Sequence, residues 1–135
     1  MTQLTAGMPA PHFEGTDQNG NTVKLSDFLG KKVILYFYPK DNTPGCTAQA
    51  CSLRDNYNDL LQKGFVVLGV SPDSEKSHLN FSGKYNLPFP LIADTEKKIL
   101  TAYDAYGEKM MYGKKVTGVI RTTFIIDEKG IIEKV

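Results

Sequence analysis

At 135 residues, 41% hydrophobic and 23% charged, the chain is sized for a single water-soluble domain, residues 1–135, with its own buried core. Sixteen Lys and Arg stand against fifteen Asp and Glu, a net charge of +1 with no block of either sign, which excludes the basic stripe of a nucleic-acid binder. The longest strongly apolar run, Val33 to Tyr38, is too short to span a bilayer. The N-terminal stretch from Met1 has no basic region followed by an apolar core, so the expected location is the cytoplasm.

In chain order, Asn19-Gly20-Asn21 marks a turn, and Thr22 to Leu25 alternates as a half-exposed strand does. Ser26 to Gly30 reads as one helical turn. Val33 to Tyr38, apolar and rich in β-branched and aromatic residues, predicts a fully buried strand that Pro39 ends, because proline has no N–H for a sheet ladder. The spacing then predicts one helix with Thr43 as N-cap, Pro44 at its first position and Gly64 as the stop after Lys63. Cys46, Ala50, Leu53, Tyr57, Leu60 and Leu61 share one face of it, while Cys51, Asp55, Asn58 and Gln62 share another. Phe65 to Val70 predicts a second buried strand and Ser74 to Tyr85 a helix. Leu87 to Ala93 reads as a loop leading into a short strand, and Thr95 to Tyr103 as a helix. Thr122 to Ile126, a turn at Asp127 to Gly130, and Ile131 to Val135 predict a terminal hairpin. The fold class is α/β, a central mixed sheet flanked by helices in a thioredoxin-like arrangement. The helix after the first central strand starts at the carboxyl edge of the sheet, where such folds place their chemistry.

The segment Pro39-Lys-Asp-Asn-Thr-Pro-Gly-Cys46 carries the candidate site. With Thr43 as N-cap, Cys46 is the third helical residue, where unpaired N–H groups and the helix dipole favour an anion and therefore the reactive thiolate. The Thr43 oxygen is placed to accept from the Cys46 N–H, leaving its hydroxyl proton for the sulfur or a bound oxygen. Gly45 keeps a side chain away from the sulfur. His12 and His78 are isolated in sequence, and Cys46 and Cys51 lack the Cys-x-x-Cys spacing of a zinc knuckle, so no metal site is expected. Asp94, Asp104 and Asp127 read as turn and helix-end residues.

Pro39, Thr43 and Cys46 match the Pro-x-x-x-Thr/Ser-x-x-Cys signature of peroxiredoxins. Tyr36 to Asp55, with Gly107 to Gly113 and Arg121 to Asp127, closely resembles the bacterioferritin comigratory protein, or peroxiredoxin Q, group over essentially the whole chain. The resemblance implies a peroxidase, an oxidoreductase without metal, haem or flavin. Cys46 would attack the peroxide and become a sulfenic acid, Thr43 would bond the peroxide oxygens, and Pro39 would shield the pocket. Arg121 would stabilise the thiolate and the charge on the leaving oxygen. Cys51 would resolve the sulfenic acid as a disulfide, and thioredoxin or a similar dithiol would reduce it. The expected assembly is a monomer or weak homodimer. The group also runs on into a C-terminal helix, which a chain ending at Val135 lacks.

Two other functions are compatible with such a fold. A thiol–disulfide oxidoreductase needs Cys-x-x-Cys, and Thr43 stands where its first cysteine would be. A non-catalytic binding or chaperone module would not need Thr43, Cys46 and Arg121 together. Geometry adds one constraint: residues five apart on a helix have Cα atoms roughly 8.5 Å apart, and a disulfide needs about 7 Å or less. A bond between Cys46 and Cys51 therefore requires the start of the helix to unwind.

Overall fold

The computed structural model describes residues 4–111 and 113–135, Met111 by its backbone alone. Met1 to Gln3 of the stretch read for a secretion signal, and Tyr112 within the second stretch of resemblance, lie outside the described residues.

The two apolar runs form the middle of the molecule. Strand β3 (Lys32–Phe37) lies parallel to β4 (Phe65–Ser71), with Val33 opposite Val66, Leu35 opposite Leu68 and Phe37 opposite Val70. On the far side of β4 runs the short parallel β5 (Leu91–Ala93). Beyond β3 come β8 (Thr122–Ile126) and then β9 (Ile132–Lys134), both antiparallel to their neighbours. The sheet order is β5-β4-β3-β8-β9, so β3 is central. Alternation along β3 sends Val33, Leu35 and Phe37 into one core with Leu68, Val70, Ile92, Tyr103 and Phe124. Tyr36 and Tyr38 enter a second core on the opposite face with Cys46, Ala50, Val67, Phe81 and Phe89. Both faces are covered, which is why these strands read as continuous apolar runs rather than alternating ones. Leu35 and Phe124, paired across the strands and both 0% exposed, each contribute about 1.5–3 kcal/mol by burial.

The expected long helix forms in two pieces, α1 (Pro44–Asp55) and α2 (Tyr57–Gln62). The break falls at Asn56, whose backbone N–H and side-chain Nδ2 both donate to the Ser52 carbonyl. A side chain that competes for the helix's own acceptor interrupts the ladder. Gly64, at φ 85°, makes the left-handed turn that leads α2 into β4. Helix α3 (Glu75–Tyr85) begins where expected, with the Ser74 hydroxyl accepting from the Ser77 N–H. Helix α4 is shorter than expected, Lys98–Ala102. Lys97 sits at φ 60°, and the Asp94 carboxylate takes the Lys98 and Leu100 N–H groups, so the first turn is capped from outside the helix.

Three smaller pieces complete the chain. An N-terminal hairpin pairs β1 (Glu14–Thr16) with β2 (Thr22–Lys24) around the expected Asn19-Gly20 turn, followed by a 3-10 turn at Leu25–Phe28. A second hairpin, β6 (Tyr106–Met111) with β7 (Lys114–Val119), was not expected from the sequence and leads straight into Arg121. The terminal hairpin turns at Asp127, whose Oδ1 accepts from the Lys129 and Ile131 N–H groups. Among the described residues, no helix is long and apolar enough to cross a membrane.

Candidate active site

Everything at the site hangs from the carboxyl end of β3. Tyr38 still donates its N–H to the Val70 carbonyl, but Pro39 ends the ladder, half-buried, and the chain leaves the sheet. Asn42 turns it with φ 60°, a left-handed position that asparagine tolerates. Thr43 is extended and its carbonyl accepts the first helical bond from the Thr47 N–H at 2.8 Å. Thr43 thus holds the N-cap position with Pro44 behind it, as expected.

The expected cap bond does not form. The Thr43 hydroxyl donates back to the Lys40 carbonyl at 3.2 Å and accepts nothing from Cys46. The extended Thr43 backbone allows either arrangement. Here the hydroxyl closes the loop on itself, and the N–H groups of the first turn stay available to an anion.

Cys46 is 2% exposed, packed with Tyr36, Tyr38 and Ala50. Its sulfur accepts two hydrogen bonds from Arg121, from Nη1 at 3.1 Å and Nη2 at 3.0 Å. The antiparallel placement of β8 beside β3 makes this possible, because Thr122 pairs with Phe37 and sets Arg121 at the edge where α1 begins. A guanidinium is always charged, and its fork delivers two parallel bonds. A Cβ on Gly45 would stand 3.5 Å from Arg121 Nη2, an ordinary contact distance, so the guanidinium lies directly beside the Gly45 backbone.

Cys51 is a free, half-buried thiol one turn and a half further along α1, and Cys46 is also free. The helix between them is unbroken. Of the five residues singled out in the sequence, the fold joins Cys46 to Arg121. It sets Thr43 at the helix start with its hydroxyl turned to Lys40, and Pro39 at the strand end. Cys51 is held apart.

Sequence reasoning missed a buried polar group directly behind the loop. His78, read as isolated, is 0% exposed, and its Nδ1 lies 2.7 Å from Asp41 Oδ2. Asp41 also accepts from Tyr38 Oη at 2.6 Å and Ser77 Oγ at 2.8 Å, and its own N–H donates to Asp73 Oδ2. Burial, with the Tyr36 hydroxyl and the Asp41 carboxylate adding to it, holds the Tyr38 phenol well above its usual range. The Tyr36 phenol is likewise raised, first by burial and then by the negative charges of Asp41 and Cys46. The one available signal was positional: His78 shares a helical face with Phe81 and Ser82, the buried side of α3.

Among the described residues, Asp41, Asp73 and His78 are the one group whose oxygen and nitrogen atoms gather closely enough to hold a cation, within 4.8 Å of one another. Each of these atoms is already bonded to a protein partner. In this arrangement hydrogen bonds tie the three residues to one another and to Ser77.

Residues 6–135 match the model of the AhpC/TSA family. The chain is also 47% identical over 131 residues to Peroxiredoxin Bcp of Bacillus subtilis, covering 97% of this chain and 83% of that one. This chain belongs to the AhpC/TSA family. Within it the chain stands in the bacterioferritin comigratory protein, or peroxiredoxin Q, group. A solved cysteine-to-serine variant of Xylella fastidiosa peroxiredoxin Q superposes with a TM-score of 0.92 at 33% identity, covering 99% of this chain and 86% of that one. The Xanthomonas campestris Bacterioferritin Comigratory Protein, whose structures were solved to study its alkyl peroxide reduction activity, gives 0.88 at 35%, with coverages of 96% and 85%. The architecture is therefore the thioredoxin-like one of peroxiredoxins, and the chain is a peroxiredoxin, a thiol peroxidase that acts on peroxides and draws on a thiol reductant.

Proposed function

We propose that Cys46 is the peroxidatic cysteine and Cys51 its resolving partner, in a cycle acting on hydrogen peroxide and organic hydroperoxides. The observation that carries this reading is the pair of Arg121 bonds to the Cys46 sulfur. The thiolate attacks the nearer peroxide oxygen and the O–O bond breaks. The sulfur is oxidised to a sulfenic acid, and the departing oxygen takes a proton and leaves as water or an alcohol. Arg121, already aimed at the sulfur, lies where charge builds on the two oxygens. Thr43, on the same helix start, can turn its hydroxyl from Lys40 toward the peroxide, and Pro39 shields the loop from water.

In the second step the Cys51 thiol attacks the Cys46 sulfur. The S–O bond breaks, the hydroxyl leaves with the Cys51 proton as water, and a 46–51 disulfide forms. A dithiol of the thioredoxin type then exchanges with it, restoring both thiols and leaving as its own disulfide. The alkyl peroxide reduction studied in the Xanthomonas campestris relative supports the organic substrates. We place the protein in the cytoplasm, as a monomer or weak homodimer.

The test is to add one equivalent of hydrogen peroxide and count free thiols. Rapid loss of two thiols per chain, abolished in Cys46→Ser, is the expected result. Retention of both thiols overturns the reading. Peptide mass spectrometry then distinguishes a 46–51 disulfide from an intermolecular one.

A further inference from the structure

We propose that the buried Asp41–His78 pair is a latch on the Pro39–Thr43 loop, setting how long Cys46 stays in its peroxide-reactive position before α1 opens to Cys51. The proposal rests on the 46–51 disulfide cycle for its second half only.

The loop is fastened to α3, to Asp73 just before it and, through the His78 ring, to β5. Asp41, 6% exposed, accepts from Tyr38, Ser77 and His78, and its backbone N–H donates to Asp73. The His78 ring is bonded on both sides, Nδ1 to Asp41 and Nε2 to the Ile92 carbonyl at 3.0 Å. Both ring nitrogens have a protein partner, so the ring is fixed between the loop and β5. Asn42 Oδ1 adds a bond from Tyr85 Oη at 3.2 Å. The carboxylate of Asp41 has no contact with Cys46 that would give it a catalytic role. It is a positioning residue, acting through the loop that ends in Thr43.

The far end of α1 is held differently. Arg54 Nη1 donates to the Tyr85 carbonyl at 2.7 Å, on the C-terminal side of Cys51. With that end tied, the helix opens from its start, where two restraints act: the Arg121 bonds to the sulfur and the loop latch. Oxidation of the sulfur changes the first, because a sulfenic acid no longer offers the guanidinium an anion. The latch does not involve the sulfur and is unchanged by its oxidation. It therefore governs the opening step, and it favours the closed state in which peroxide is attacked.

The latch predicts opposite effects on the two steps. Asp41→Ala slows peroxide attack on Cys46 and speeds disulfide closure, each on the order of five- to tenfold, and lowers over-oxidation of Cys46 at excess peroxide. Ser77→Ala, which removes one bond and no charge, shifts both steps the same way by less. Asp41→Asn, keeping the shape and the bond from Tyr38, lies between Asp41→Ala and the unaltered protein. Stopped-flow single turnovers separate the two rate constants, and Ser77→Ala and Asp41→Asn decide the matter if Asp41→Ala fails to fold.

Closure that is unchanged or slower in the variants overturns the proposal, as does a parallel fall in both rates, the mark of general destabilisation. If the unaltered protein forms no 46–51 disulfide, the resolving role of Cys51 fails by itself. Amide exchange in the reduced protein then judges the latch. Faster exchange in Ser77→Ala confined to the first turns of α1 supports it, and exchange unchanged there, or raised equally in β3 and β4, overturns it.

Discussion

Both terminal nitrogens of Arg121 reach the sulfur of Cys46, 75 residues earlier in the chain, at 3.1 and 3.0 Å. Neither residue is catalytic equipment alone. A buried thiol is ordinarily inert, and an arginine between two strands is ordinarily solvated. The contact makes each meaningful.

Arg121→Ala is expected to lower the second-order rate constant for peroxide by about 10²–10³, the usual loss when a preorganised charge donor is removed. Arg121→Lys recovers a part of it, because one ammonium cannot supply two parallel bonds. Stopped-flow oxidation of Cys46 measures both, and equal rates in all three proteins would contradict the role assigned to the guanidinium.

Cys51→Ser is expected to leave peroxide attack at the unaltered rate and to stop the cycle at the sulfenic acid. Mass spectrometry after one equivalent of peroxide then finds one oxygen added on Cys46, and two with excess peroxide. In the protein with both cysteines, oxidation is expected to open α1, because an intact helix keeps the Cα atoms roughly 8.5 Å apart. Limited proteolysis tests that opening: new cleavage between Cys46 and Asp55 is expected only after oxidation.

Gly69 stands in β4 behind the Tyr36 ring. A Cβ there would lie 2.9 Å from each of Leu91 Cδ2, Tyr36 Cζ and Tyr36 Oη. Gly69→Ala therefore overpacks the core that holds Cys46 and is expected to cost about 1–3 kcal/mol, read from the urea midpoint.

Asp127 gives a pH signature. The Ile131 N–H, then the Lys129 N–H and nearby lysine charge, hold its carboxyl below the usual range. The folded protein keeps this group ionised at pH values where the unfolded chain has taken up a proton. Its stabilising effect is complete above the unfolded pKa of about 3.9 and is lost as pH falls through the lower, folded value. Melting temperatures of the unaltered protein and Asp127→Asn are expected to differ near neutrality and to converge as the pH falls toward 2.

The parts of this molecule legible in the sequence are those whose local chemistry agrees with their burial. Val33 to Tyr38 and Phe65 to Val70 had one plausible use, and Thr43-Pro44 announced a helix start. The site was legible because the Cys46 motif resembles a known one, which also brought in Arg121. What was not legible depends on partners distant in the chain. Asn56 breaks the helix through its own side chain, inside a pattern that otherwise runs on to Gly64. Strands β6 and β7 pair chiefly with each other, and Glu108, Lys109, Lys114 and Lys115 give them no apolar alternation to read. Thr43 turned its hydroxyl to Lys40, a choice the residue type leaves open. His78 seemed isolated because its partner Asp41 lies 37 positions away.

The pairing of β8 with β3 has a consequence for handling the protein. Side chains alternate with a period of two, so a slip of two residues would bury the same faces and preserve the circular dichroism of a folded sheet. It would also carry Arg121 about 7 Å from the sulfur. Such molecules would be well folded by every bulk measure and slow toward peroxide, as Arg121→Ala is expected to be. Titrating the rapidly peroxide-reactive fraction of Cys46 thus grades the register of β8 in a refolded preparation, a quality control that spectroscopy alone does not provide.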